Sequence, residues 1–261
     1  MELFHLTVGE GPLVSAAIHN GHALRGGLLD SIGLTEPERL REEDPYTDML
    51  SDVAPTQIVG NRSRFEVDLN RPRDESVYLT PEQAWGLNVW REPPATAVVE
   101  ESRQLHDLFY GTVGGLLRQL VESHGRVIVL DVHSYNHRRN GPDGAVADET
   151  ENPEVNIGTG SMDRELWAPV IDALIAGLRR CEINSRPLDV RENVKFQGGH
   201  FPRWIHGEFP GAICAPAIEF KKTFMNEWTG NVDHTHLMKL RDALRATTPQ
   251  LLEKLKGIGS R

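Results

Sequence analysis

Two cysteines in 261 residues are too few for a disulfide framework, so Cys181 and Cys214 are read as buried, reduced thiols of a cytoplasmic protein. No apolar run approaches the roughly 18 residues that cross a bilayer, so no membrane-spanning helix is expected. The N-terminus, MELFHLTVGEGPLVS, lacks the basic start and apolar stretch of an export signal. Basic charge is scarce as well: Lys plus Arg number 28 against 38 Asp plus Glu, a formal net charge of −10. Such a balance speaks against binding DNA or RNA through its phosphates. The G-x-S-x-G nucleophile elbow, the GxxxxGK[ST] phosphate loop and the GxGxxG dinucleotide loop are all missing. What remains is ordinary soluble composition, 25% charged and 39% hydrophobic, enough for one large α/β domain or two small ones.

No repeat divides the chain, and 1–261 is read as a single domain. Pro12 to His19 is a short apolar run between Gly11 and Asn20-Gly21, the pattern of a buried strand ending in a turn. Glu36 to Glu43 predicts a short surface helix, and Arg64 to Leu69 a strand closed by Arg71-Pro72. Pro72, Pro81, Pro93 and Pro94 predict a long covering loop over 72–100. From Ser102 to Ser123, Leu105, Leu108, Phe109, Val113, Leu116, Leu117, Leu120 and Val121 recur at helical spacing, and Gly125 ends the helix. Arg126 to His133 is a continuous apolar run, the mark of a strand buried on both faces. A polar loop is expected over 134–158, a helix from about Ser161 to Cys181, and strands near Pro187–Val190 and Ala212–Phe220. An amphipathic helix is expected from Asp233 to Lys256. Strands alternating with helices favour one α/β domain, with a mostly parallel or mixed central sheet and helices on both faces. Ligands of such sheets sit beyond the carboxyl ends of the strands.

The chemistry-bearing residues fall at those ends. His19 and His22 follow the first strand, and two imidazoles three apart in a turn can share a metal ion, though either also suits a polar loop. His133, ending the central strand, would be the third ligand, and Asp131 would orient an imidazole. Alternatively the two satisfy each other. The segment NRSRFEVDLNR, Asn61 to Arg71, carries three arginines suited to a carboxylate, or to a solvated face. Glu219, alone in the apolar AIEF, is either a general base beside a metal or half of a structural ion pair. Gly198-Gly199 permits close backbone approach and would set His200 on the pocket wall.

In this order the segments resemble the N-formylglutamate amidohydrolase family, which shares its architecture with the zinc carboxypeptidases. NRSRFEVDLNR is similar to the family's RxxVDLNR motif, and DVHSY to its Asp-x-His-Ser. His19-x-x-His22 stands where the carboxypeptidases have His-x-x-Glu, and Ile18-His19-Asn20-Gly21 where the formylglutamate enzymes often have Pro-His-Ser-Gly. The likeness covers roughly residues 12 to 230. It implies a zinc-carboxypeptidase-like fold, zinc or another divalent metal on His19, His22 and His133, and Glu219 as general base. By the same resemblance Asn70 and Arg71 would hold the substrate α-carboxylate, with Arg64 serving a second acidic group. The reading is a metal-dependent amidohydrolase of an N-acyl acidic amino acid, N-formyl-L-glutamate first. Its competitors are a zinc carboxypeptidase, an aspartoacylase-like or desuccinylase-like enzyme, and a non-catalytic small-molecule binder. The expected partner is the small acylamino acid, with neither nucleic acid nor membrane.

Overall fold

The structure, a computed structural model, describes residues 2–259. The chain opens with β1 (Phe4–Thr7), β2 (Leu13–Ala17), α1 (Glu36–Glu42), α2 (Thr47–Ser51) and β3 (Thr56–Gly60). After two short 3-10 turns come α3 (Thr96–His124), β4 (Val127–Tyr135), β5 (Val155–Gly158) and α4 (Ala168–Arg179). A small hairpin, β6 (Glu182–Ile183) and β7 (Arg186–Pro187), leads to β8 (Val190–Glu192) and α5 (His200–Glu208). The chain closes with β9 (Ile213–Cys214), β10 (Ala217–Lys221) and α6 (His234–Gly257). The main sheet runs β1-β3-β2-β4-β10-β5-β8, with β9 also on β4. It is mixed: β3, β2, β4 and β10 are mutually parallel, while β1 and β5 run against their neighbours β3 and β10.

β4 is buried at every position. Ile128, Leu130 and Val132 face a core completed by α4 and α6, while Val127 and Val129 face one completed by α3 and α5. Each such aliphatic contributes roughly 1.5–3 kcal/mol on burial, so a one-residue slip would exchange both faces at once and is strongly disfavoured. This fixes the carboxyl end of β4. There Asp131 and His133, two residues apart, point the same way.

Several expected elements differ. Arg64–Leu69 is a turn, not a strand: Glu66 and Val67 both donate their amides to the Ser63 carbonyl, at 2.9 and 3.3 Å. The alternation that mimicked a strand arises because Phe65 enters one small core while Val67 and Leu69 enter another. The strand that does pair there, β3, lies earlier. α3 begins at Thr96, directly after Pro93-Pro94 and Ala95, and Leu108 faces solvent. β4 runs on to Tyr135, β5 occupies the end of the expected loop, and HFPRWIHGE forms α5. The α6 boundary falls within a residue of expectation because the Asp233 side chain caps it, accepting from the His236 amide. Cys214 is buried and Cys181 half-buried, and both are free. Among the described residues no helix is long and apolar enough to cross a membrane.

Candidate active site

Beyond the carboxyl ends of β2, β4 and β10 lies a cavity of about 370 Å³, lined among others by His19, Asp44, His133 and Glu219. His19 follows β2 and His133 ends β4. Parallel pairing of both strands holds the two imidazoles 5.0 Å apart between ring centroids. The third member comes from elsewhere. The Asp44 amide donates to the His19 carbonyl at 3.0 Å, which brings the Asp44 carboxylate beside both rings. His19, Asp44 and His133 each offer a ligand atom within 4.8 Å of the others, and all are buried.

The ring nitrogens divide cleanly. Nδ1 of His133 and of His19 lie 3.0 and 3.7 Å from Asp44 Oδ2. Nε2 of His19 meets Asp68 Oδ1 at 2.7 Å, and Nε2 of His133 meets Asp131 Oδ1 at 3.0 Å. A carboxylate on Nε2 keeps one proton there, so a cation that displaces the proton shared between Nδ1 and Asp44 would find Nδ1 as its lone-pair donor, the arrangement that orients metal-binding histidines. Burial opposes charge on His133, yet Asp131 and Asp44 outweigh it and raise its pKa well above the ordinary value. Burial likewise pushes the Asp44 carboxyl up, but hydrogen bonds from His133 and His19 hold it well below the carboxylate range. The pocket is thus built for positive charge, and two imidazoles with a carboxylate fit a borderline divalent ion such as zinc.

His22, expected in this cluster, is elsewhere. A side chain on Gly21 would lie 2.3 Å from the Asn61 carbonyl carbon, so this close approach carries the chain past residues 61–63 and turns His22 outward. There its Nδ1 meets the buried Glu43 carboxylate, and Arg39 Nη2 lies 3.2 Å from Nε2. Asp44 takes the place expected for His22. No spacing or periodicity singles it out from the acidic run Glu42-Glu43-Asp44.

Glu219 stands opposite His133 in the β4–β10 register. It reaches the cavity and has neither a hydrogen bond nor an ion pair among the described residues. Burial pushes its pKa up to about 7, with His133 pulling the other way. A structural ion-pair role therefore finds no partner here.

Asn70 lines the cavity, and its side-chain oxygen accepts from the Phe201 amide at 2.8 Å. A Cβ on Gly199 would sit 2.3 Å from the Asn70 amide group, so this glycine serves to seat Asn70. His200, expected on the pocket wall, instead lies near His106 and Tyr110 and does not line the cavity. Arg71 is also turned away: its Nη2 donates to the Gln83 carbonyl at 2.7 Å and its guanidinium lies over Tyr78. Arg64 does line the cavity, donating to the Tyr78 hydroxyl, the Glu42 carbonyl and Asp68 while its face rests on Trp85. Trp85 itself has φ 53°, a left-handed conformation unusual for a bulky residue. Glu66, in the same segment as Arg64, pairs with Arg25 and Arg62 outside the cavity. Lys222, Lys195 and Arg139 complete the cationic lining, none of them singled out by sequence pattern.

A mixed sheet with a buried His-Asp-His cluster and an unpaired glutamate at its strand ends defines an α/β protein equipped for hydrolysis. Residues 11–225 match the sequence profile of the N-formylglutamate amidohydrolase family, and the chain belongs to that family. It is 27% identical over 276 aligned positions to the N-formylglutamate deformylase of Pseudomonas aeruginosa, covering 99% of this chain and 97% of that one. The N-formylglutamate deformylase of Pseudomonas putida is 28% identical over 270 positions, with 97% and 95% covered. The crystal structure of the N-formylglutamate amidohydrolase from Ralstonia eutropha has the same fold, with a TM-score of 0.75 at 17% identity over 97% of this chain and 98% of that one.

Proposed function

We propose that this protein hydrolyses the formamide of N-formyl-L-glutamate, releasing formate and L-glutamate. Family membership and the curated relatives named for this reaction support the substrate. The observation that carries the mechanism is the unpartnered Glu219 carboxylate beside the His19-Asp44-His133 cluster. Those three residues would hold a divalent cation, zinc first, which when bound polarises the formyl carbonyl and acidifies water. Glu219 takes a proton from the attacking water as the oxygen adds to the formyl carbon. It then returns the proton to the amide nitrogen as the C–N bond breaks. Its raised affinity for protons suits both halves of that exchange. Asp68 and Asp131 hold the two imidazoles in the tautomer and orientation the cluster needs. The lining sets four cations, Arg64, Arg139, Lys195 and Lys222, against the carboxylates of Glu42, Asp44 and Glu219, which favours a dianionic substrate. Two unpaired thiols suit the cytoplasm.

The test is formate release by the purified protein from N-formyl-L-glutamate, beside N-acetyl and N-succinyl glutamate, before and after chelation and with zinc restored. Formate release that chelation abolishes and zinc restores is the expected result. Turnover only of the larger acyl groups would move the reading to a desuccinylase-like enzyme. No turnover of any, with metal loaded, would remove it.

A further inference from the structure

We propose that Lys195 and Arg139 select the acidic side chain of the substrate, an inference that rests on the formylglutamate reading above. Of the cations lining the cavity, two are engaged by the protein, Lys222 wholly and Arg64 through three of its five N–H groups. Lys222 Nζ donates to the Arg41 and Glu43 carbonyls and to Asn136 Oδ1, at 2.6, 2.7 and 3.0 Å, which uses all its protons. Arg64 commits three N–H groups at 2.8–3.3 Å and lays its face on Trp85. The other two are available. Lys195 Nζ has no hydrogen bond or ion pair among the described residues, and Arg139 has one partner there, Glu42 Oε2 at 3.3 Å.

Both stand on backbone that is tied down. Asn156 Oδ1, buried on β5, accepts from the amides of Val194, Lys195 and Phe196 at 3.1, 2.8 and 3.4 Å, and its Nδ2 donates to the Phe196 carbonyl. On the other loop the buried Glu227 carboxylate accepts from the amides of His137 and Arg138 at 3.0 and 2.6 Å, and Trp228 Nε1 donates to the Arg138 carbonyl. Each charge is thus presented from a fixed point on a side chain free to move. The depth of the cations matches the substrate. The α-carboxylate of an acylamino acid is attached one carbon from the reacting nitrogen, whereas the side-chain carboxylate of glutamate lies two carbons further out. Arg64, with a side chain 13% exposed, and Asn70 are the inner groups, while Lys195 and the half-exposed Arg139 stand at the mouth. Asn70 and the two N–H groups that Arg64 keeps uncommitted therefore serve the α-carboxylate, and the outer pair serves the distal one.

N-formyl-L-glutamine keeps the substrate's shape and removes only the distal charge, so the readout is the ratio of kcat/KM for the glutamate compound over the glutamine compound. In Lys195→Met and in Arg139→Gln we expect this ratio to fall about 10-fold each, the loss of one charge-assisted hydrogen bond, carried by KM for the glutamate compound. Lys195→Arg should keep most of the preference. A double variant that retains the wild-type ratio would overturn the proposal, as would equal losses on both compounds, which mark a structural or α-carboxylate role. If the wild type, metal-loaded, hydrolyses neither compound, it is the hydrolytic reading that fails. Calorimetric affinity for L-glutamate against L-glutamine on the same proteins then decides: a preference lost in the variants supports the selection, and no preference in the wild type removes it.

Discussion

Two of the molecule's hollows lie at opposite ends of its parallel strands, and the larger is not the one with the chemistry. A groove of about 1050 Å³ lies before β2, β4 and β9, lined by Pro12, Arg126, Trp167, His206 and Ala212 among others. Its inner polar groups are answered within the fold. The Ala215 amide donates to His206 Nε2 at 3.1 Å, which leaves the proton on Nδ1, 2.9 Å from Ser161 Oγ. In that tautomer the imidazole cannot take a proton from Ser161, so the pair has no nucleophile to offer. Arg126 donates to the Gly211 and Ile258 carbonyls. At the other end, in about a third of the volume, the side chains of Glu219 and Lys195 have no hydrogen-bond or ion-pair partner among the described residues, and Asp131 Oδ2 and Ser134 Oγ are buried there without one. Unspent polar groups, more than empty space, mark the end of the sheet where a ligand is awaited.

The most direct way to break this comparison is to remove the unspent carboxylate. Glu219→Gln should lower kcat by about 10²–10⁴-fold while melting temperature and metal content stay near wild type. A stable, metal-loaded variant with normal turnover would take Glu219 out of the mechanism. The next largest effect separates Asp44 from His22. Asp44→Ala should weaken metal binding by more than the roughly 10–100-fold typical of an outer partner. His22→Ala should bind metal normally and lose about 1–3 kcal/mol of stability, because the buried Glu43 keeps only part of its partnership. Metal analysis beside thermal melts reads both, and the reverse pattern would return His22 to the cluster.

At the quiet end the expected effect is on stability alone. Burial lowers the His206 pKa from 6.5 to about 4. Between those values the unfolded chain binds the proton that the folded one refuses, so stability is complete above pH 6.5 and falls as pH drops toward 4, by up to about 3 kcal/mol. Chemical unfolding across that window should show the slope in wild type and lose it in His206→Gln. An unchanged slope would mean another group is responsible. The smallest effect is expected from Arg71→Ala, about 1 kcal/mol from the lost Gln83 bond and Tyr78 contact, with KM within about threefold of wild type. A tenfold rise in KM on an intact fold would show that Arg71 swings into the cavity when substrate binds.

The sequence was most readable where one local property decides the structure. Arg126 to His133 could only be an interior strand, and that alone put Asp131 and His133 at its mouth; AIEF set Glu219 beside them by the same logic. Asp44 was unreadable because its place depends on a hydrogen bond to the His19 carbonyl across 25 residues, and neither partner carries a local signature of it. The turn over Arg64–Leu69 was misread because two different cores produce the same alternation as one pleated face. Gly198-Gly199 did signal close approach, but the group that approaches is Asn70 and not His200. For Arg71 the residue type was informative and its direction was not, since a guanidinium can as well be consumed by a carbonyl and a ring as by a ligand.

The cluster of His19, Asp44 and His133 is assembled from three stretches of chain that only the finished sheet brings together, Asp44 and His133 lying 89 residues apart. An unfolded chain cannot offer that set, so any cation that seats there is bound by the native state alone. Mass action then couples occupancy to the folding equilibrium: at a free concentration one hundred times Kd, the native state gains about 2.7 kcal/mol. The melting curve of this protein is for that reason an ion titration in disguise. Ranking zinc, manganese and cobalt by the displacement of its midpoint would order their affinities without a substrate in the tube.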